Sequence, residues 1–101
     1  MVTLKVRLFG TKRERLEGLL HAKKAFPVLL KTRFGIHTFG LRFPIDVLIL
    51  DNNSRVVRIC CSLKPNRIFL WPPVFDTVVE LPTGAAKKKR IKPGDTIKLI
   101  P

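Results

Sequence analysis

The segment Pro44-Ile45-Asp46-Val47-Leu48-Ile49-Leu50 constrains this chain more than any other. It is apolar at every position of both strand faces except for one carboxylate. A strand of that kind must lie inside a sheet with both faces covered, because alternation toward water is missing. Asp51-Asn52-Asn53-Ser54 follows with turn composition, and residues 55–61 then read as an antiparallel return, with Val57, Ile59 and Cys61 on one face. The chain has 101 residues, so one domain (residues 1–101) with one core is expected. Apolar runs such as Val47-Leu48-Ile49-Leu50 are far too short to span a membrane.

The flanking segments supply the rest of a sheet. Val2, Leu4, Val6 and Leu8 alternate with Thr3, Lys5 and Arg7, the pattern of a half-buried first strand ended by Gly10. Thr11 with Glu14 three residues later is a capping box, predicting a helix over about residues 12–22. Leu16, Leu19 and Leu20 would be its core stripe, with Arg15 among the bases facing outward. Val28-Leu29-Leu30 reads as a second strand, and residues 33–44 as short extended pieces with tight bends. Residues 63–73, with three prolines, read as a long connection. Residues 74–81 are a strand, 85–90 a short helix, Lys92-Pro93-Gly94-Asp95 a type II turn, and 96–100 the last strand. The expected fold is therefore α+β and β-rich, a small mostly antiparallel sheet or partly closed barrel with two short helices.

Twenty Lys and Arg against seven Asp and Glu leave a net charge of +13, divided almost evenly between the two halves of the chain. Such a balance favours polyanionic partners and says nothing about fold. Lys87, Lys88, Lys89, Arg90 and Lys92 form the densest basic cluster, and Phe39, Phe43, Phe69 and Trp71 are candidates to stack unpaired bases. Cys60 and Cys61 are neighbours, which on a strand point to opposite faces, so no bridge between them is expected. With His21 and His37 they are too few and wrongly spaced for a zinc site. No metal and no cofactor is expected.

The buried carboxylate frames the chemistry. Asp46 needs a partner, and Arg33, His37 and Arg42 lie nearby in sequence. One reading is a polar pocket for a small ligand near Arg33, His37, Thr38 and Asp46. The alternative is that Asp46 accepts backbone N–H bonds and pins the bends before it. Glu80, within Val78-Val79-Glu80-Leu81, poses the same question. A hydrolase would use His37 as base and Asp46 as its orienter, with Thr38, Ser62 or a cysteine as nucleophile. No nucleophile elbow, metalloprotease helix or phosphate loop is present to support it.

Four segments carry a family resemblance. Arg15-Leu16-Glu17-Gly18-Leu19-Leu20, Ile36-His37-Thr38-Phe39-Gly40-Leu41 with Pro44-Ile45-Asp46, Val79-Glu80-Leu81-Pro82-Thr83-Gly84, and Ile91-Lys92-Pro93-Gly94-Asp95 occur in order. Across about residues 13–100 the chain resembles the uncharacterised ancient conserved region proteins, a family built on a domain of unknown function. Leu20 and Leu41 stand where that family usually has methionine, a change that conserves volume. The resemblance implies a mostly β domain and no particular activity. Together these readings lead to the expectation of a soluble, cytoplasmic, monomeric or weakly dimeric protein that binds without catalysis, with nucleic-acid or other polyanion binding as its rival.

Overall fold

The computed structural model describes residues 1–101. Ile45–Leu50 (β5) is the inner strand that its composition demands, buried at all six positions. It pairs antiparallel with Thr77–Pro82 (β8) on one side and with Val56–Leu63 (β6) on the other. Val28–Lys31 (β3) then pairs antiparallel with β8, and Arg7–Phe9 (β2) pairs parallel with β3, completing a five-stranded sheet in the order β2-β3-β8-β5-β6. The edge strands β2 and β6 do not meet, so the sheet is open and the barrel alternative falls away.

Two ribbons and two helices cover the sheet. Val2–Lys5 (β1) pairs parallel with Ile97–Ile100 (β9), and Gly35–His37 (β4) pairs antiparallel with Ile68–Leu70 (β7). Side-chain alternation along β5 assigns each ribbon to a face. Val47 and Ile49 join Leu19, Ile36, Phe69 and Trp71 in one cluster, beneath Lys12–Leu20 (α1) and the β4–β7 ribbon. Leu48 and Leu50 join Leu4, Val6, Ala86 and Ile97 in the other, beneath Ala85–Lys88 (α2) and the β1–β9 ribbon.

Several local signals act as their chemistry predicts. Thr11 Oγ1 accepts from Glu14 N at 3.1 Å, and the Glu14 carboxylate reaches back to Gly10 N at 3.2 Å. The helix ends two residues early because Ala22 N turns to Leu19 O in a tighter bond. Asp51 Oδ1 accepts from Asn53 N and Arg55 N, closing the β5–β6 hairpin. Gly94 takes φ +93°, as the third position of a type II turn requires, with Asp95 N bonded to Lys92 O. Cys60 is half-buried and Cys61 exposed, and they are unbridged.

Other expectations give way to tertiary structure. The first strand is not continuous: Val6 N bonds to Ile100 O and Arg7 N to Pro27 O, so the chain leaves one ribbon and joins the central sheet. Alternation breaks there, leaving Leu8 exposed while Phe9 packs inward. A β-bulge between Ile49 and Leu50 puts Val56, not Val57, into the core. The proline-rich connection contains β7, whose Ile-Phe-Leu sequence suits a strand and which pairs with β4. No helix is long and apolar enough to cross a membrane.

Candidate functional site

Asp46 is fully buried, and its two oxygens accept from two different elements. Ser62 N on β6 donates to Oδ1 and Ala86 N in α2 donates to Oδ2, both at 2.9 Å. Each oxygen is held by one backbone N–H, which makes Asp46 a clamp between a strand and a short helix. It faces the cluster under α2, whereas His37 and Arg15 belong to the opposite face of the sheet. Asp46 and His37 therefore do not converge on a pocket. Arg33 is also elsewhere: it is exposed, donates to Pro73 O at 2.7 Å and lies 3.8 Å from Asp76.

Glu80 is held differently. Its register partner on β5 is Val47, so its side chain enters the α1 face. There the single Nε–H of Arg15 is shared by both carboxylate oxygens, at 2.9 and 2.7 Å. Burial pushes the Glu80 carboxyl up, and the Arg15 guanidinium only partly opposes it. Arg15 itself is 2% exposed, contrary to the outward placement expected of it. Its Nη1 donates to His37 O at 2.9 Å, while Nη2 is buried without a hydrogen-bond partner.

Arg15 is also one of the residues lining a cleft of about 280 Å³ between α1 and the β4–β7 ribbon, where Nη2 itself has almost no exposed surface. The ribbon's outer face carries His37, Ile68 and Leu70, and Phe34 and Phe39 flank it. Four of these are large apolar side chains left substantially exposed: Phe34 at 65%, Phe39 at 48%, Ile68 at 63% and Leu70 at 62%. A β-carbon on Gly35 would stand 2.6 Å from Leu70 Cδ2 and from Phe69 O, so glycine lets Leu70 lie flat against the ribbon. Phe34 has φ +72°, and Gly35 N bonds to Arg33 O across it. This is a γ-turn of the rare, strained hand, and it projects an aromatic ring at the cleft mouth. Beneath the ribbon, Phe69 packs on Trp71, and Arg58 both covers the Phe69 ring at 4.8 Å and donates to Leu70 O.

His37 stacks on Phe39 with ring centroids 5.2 Å apart, and its Nδ1 accepts from Phe39 N at 3.2 Å. The neutral ring thus carries its proton on Nε2. Burial, then the charges of Arg15 and Lys12, hold its pKa below the ordinary value. Thr38 is fully buried and spent on structure, donating to Lys64 O at 2.7 Å and accepting from Arg67 N at 2.9 Å. The structure thus brings His37 together with Arg15, Lys12 and four apolar side chains. A second hollow beside Lys5, Arg7 and Phe26 is flatter, and the Arg7 guanidinium already sits on the Phe26 ring at 4.1 Å.

The polyanion candidates separate in the same way. Lys87, Lys88, Lys89, Arg90 and Lys92 are all exposed around α2, on the other face from Phe39 and its neighbours. Trp71 and Phe69 are buried, and Trp71 Nε1 donates to Phe75 O, so neither is free to stack on a base. No group of three or more His, Cys, Asp or Glu side chains is placed to hold a metal ion.

Comparison with known proteins agrees with the four-segment resemblance. Residues 1–99 match the family described as Uncharacterized ACR, DUF192. A UPF0127 protein of Pyrococcus horikoshii is 37% identical over 101 residues, covering 92% of this chain and 85% of the relative. One of Pyrococcus abyssi is 34% identical over 77 residues, covering 74% and 65%. Two crystal structures share the fold. A protein of unknown function from Novosphingobium aromaticivorans has TM-score 0.77 at 20% identity, covering 90% of this chain and 71% of that one. A Sinorhizobium meliloti protein described as a candidate transcription regulator has TM-score 0.78 at 22% identity, covering 90% and 78%.

Proposed function

The chain belongs to this family of uncharacterised conserved proteins, and on that premise we propose that it is a non-catalytic ligand-binding module whose site is the cleft between α1 and the β4–β7 ribbon. One observation carries the reading: Arg15, a buried guanidinium with one nitrogen unpaired, is among the lining residues of a cleft that also exposes four large apolar side chains. An unsatisfied buried donor costs about 1–3 kcal/mol, which an acceptor arriving with a ligand recovers. Clustered exposed apolar surface likewise gains by being covered. The cleft is at the small end of ligand pockets, so the ligand is a small molecule.

Binding without chemistry fits the lining. No Ser, Thr, Cys, Asp or Glu side chain borders the cleft, so a hydroxyl or thiol nucleophile and a carboxylate base are missing where a ligand would sit. Arg15 and Lys12 add a positive potential that raises the encounter rate with anions.

The test is a fragment titration of isotope-labelled protein followed by amide chemical shifts. Shifts clustering on residues 12–15, 34–39 and 68–70 are expected. Shifts confined to the Lys87–Lys92 cluster, or none across a diverse fragment set, would reject the cleft as the site.

A further inference from the structure

Building on the cleft reading, we infer that the occupant is a small monocarboxylic acid with a flat apolar body. Its carboxylate sits on Arg15, and its body lies between Phe34 and Phe39 over Ile68 and Leu70. Size sets the first limit. A dry cavity of about 150 Å³ holds a benzene ring. The cleft, at about 280 Å³, accommodates one ring and a short arm carrying a headgroup.

Donor arithmetic sets the second. Arg15 has spent its Nε–H on Glu80 and one Nη1 N–H on His37 O, which leaves the second N–H of Nη1 and the two of Nη2. His37 adds one N–H on Nε2, since its Nδ1 is engaged by Phe39 N. The Lys12 ammonium stands at the exposed rim. This supply matches a planar carboxylate. A phosphate or sulfate brings a third terminal oxygen, which beyond the Arg15 and His37 donors depends on Lys12 at the solvent-exposed rim, whereas the two oxygens of a carboxylate are served without it. A dianion would also meet the Glu80 carboxylate across the same guanidinium.

Charge sets the third. A neutral carbonyl would satisfy Nη2 equally well in geometry, but it gains nothing from the local potential. Burial first, and then the charges of Arg15 and Lys12, disfavour a proton on His37, and those charges favour an anion beside it. Reciprocally, a bound carboxylate must raise the His37 pKa.

Three matched probes decide the matter: phenylacetate, phenylacetamide and phenyl phosphate. Amide chemical shifts locate each. Trp71, the only tryptophan in a chain without tyrosine, reports binding by fluorescence because its backbone N–H is bonded to Phe34 O. Phenylacetate is expected to bind about ten-fold or more tighter than either other probe, one charge-assisted bond's worth of discrimination. It should also move the His37 ring titration upward. Arg15→Lys, which keeps the charge but loses the planar donor, should weaken phenylacetate selectively if the variant folds. Ile68→Glu is the variant that does not depend on folding risk, because Ile68 is 63% exposed. It should weaken phenylacetate far more than phenylacetamide, because both probes lose the same apolar contact and only the acid also meets repulsion. Equal affinity for the acid and the amide, equal loss of both in Ile68→Glu, or tightest binding of phenyl phosphate overturns the carboxylate assignment and leaves the cleft reading standing. Absence of any cleft perturbation by all three overturns both.

Discussion

Asp46 and Glu80 lie on neighbouring strands, one register step apart, and enter opposite faces of the same sheet. Both are almost completely buried, yet they are stabilised by different chemistry. Asp46 accepts two backbone N–H bonds from elements distant in the chain, so every group involved is satisfied. Glu80 is served by a side chain whose own donors are incompletely used, and that side chain is part of the lining of a cleft. A carboxylate saturated by backbone fastens a scaffold. A carboxylate paired with a partly free guanidinium fixes that guanidinium in place for something else. The two halves of the molecule can therefore be perturbed separately.

The largest effect should come from breaking the ion pair on one side only. Arg15→Ala leaves Glu80 buried without a partner and is expected to lose about 3–5 kcal/mol in urea unfolding. The double variant Arg15→Met with Glu80→Met should recover most of that loss, since apolar replacement of a buried pair is often neutral. A double variant as unstable as the single one would mean the pair is not the cause.

Asp46→Asn should cost about 1–3 kcal/mol, because one backbone N–H then faces an amide nitrogen instead of an oxygen. Amide shifts around the cleft should stay at their wild-type positions. Disturbance of residues 34–39 in this variant would show that the two faces are not independent.

Both carboxylates stand out in sequence, since each interrupts an apolar strand, and so does the two-covered-face sheet that holds them. Arg15 does not stand out, being one of twenty bases on a helix that looks solvated outside its leucines. A signal existed nonetheless. Arg15 lies four residues before Leu19 and so shares its inward face, and Glu80 required a cation from somewhere. Sequence proximity pointed instead to Arg33 and His37 for Asp46, which the sheet separates by sending successive side chains to opposite sides. The cleft walls were illegible for a related reason. Ile68 and Leu70 sit between prolines, and their pairing partner β4 lies far back in the chain, so the prolines masked a short strand.

Smaller effects follow from pH. Folding lowers the His37 pKa, so its contribution to stability is present above the ordinary value of 6.5 and lost as pH falls through the folded value. His37→Gln should flatten that part of the wild-type stability profile, measured by thermal unfolding across the range. Glu80 has the opposite sign. Its raised pKa favours folding in acid, a gain lost as pH rises through its folded value. A profile unchanged by His37→Gln would remove the ring from the account.

The smallest effect is expected at Phe34. Glycine at φ +72° is free of steric strain, so Phe34→Gly should change stability by about 1 kcal/mol or less. It should nevertheless weaken phenylacetate binding, because the cleft loses an aromatic wall. A large loss of stability would make the Phe34 ring a packing element and not a mouth.

The parallel pairing of the first and last strands has a mechanical consequence. Val2 is level with Ile97 and Lys5 with Ile100, so the two chain ends leave the ribbon in opposite directions. Tension applied across those ends would slide β1 along β9 and load their hydrogen bonds together. In an antiparallel hairpin the same pull would peel the bonds open one at a time. Stretching a single molecule from its ends should therefore give one abrupt high-force rupture, not a low plateau. The ribbon covering the scaffold face would act as a shear lock on the whole sheet.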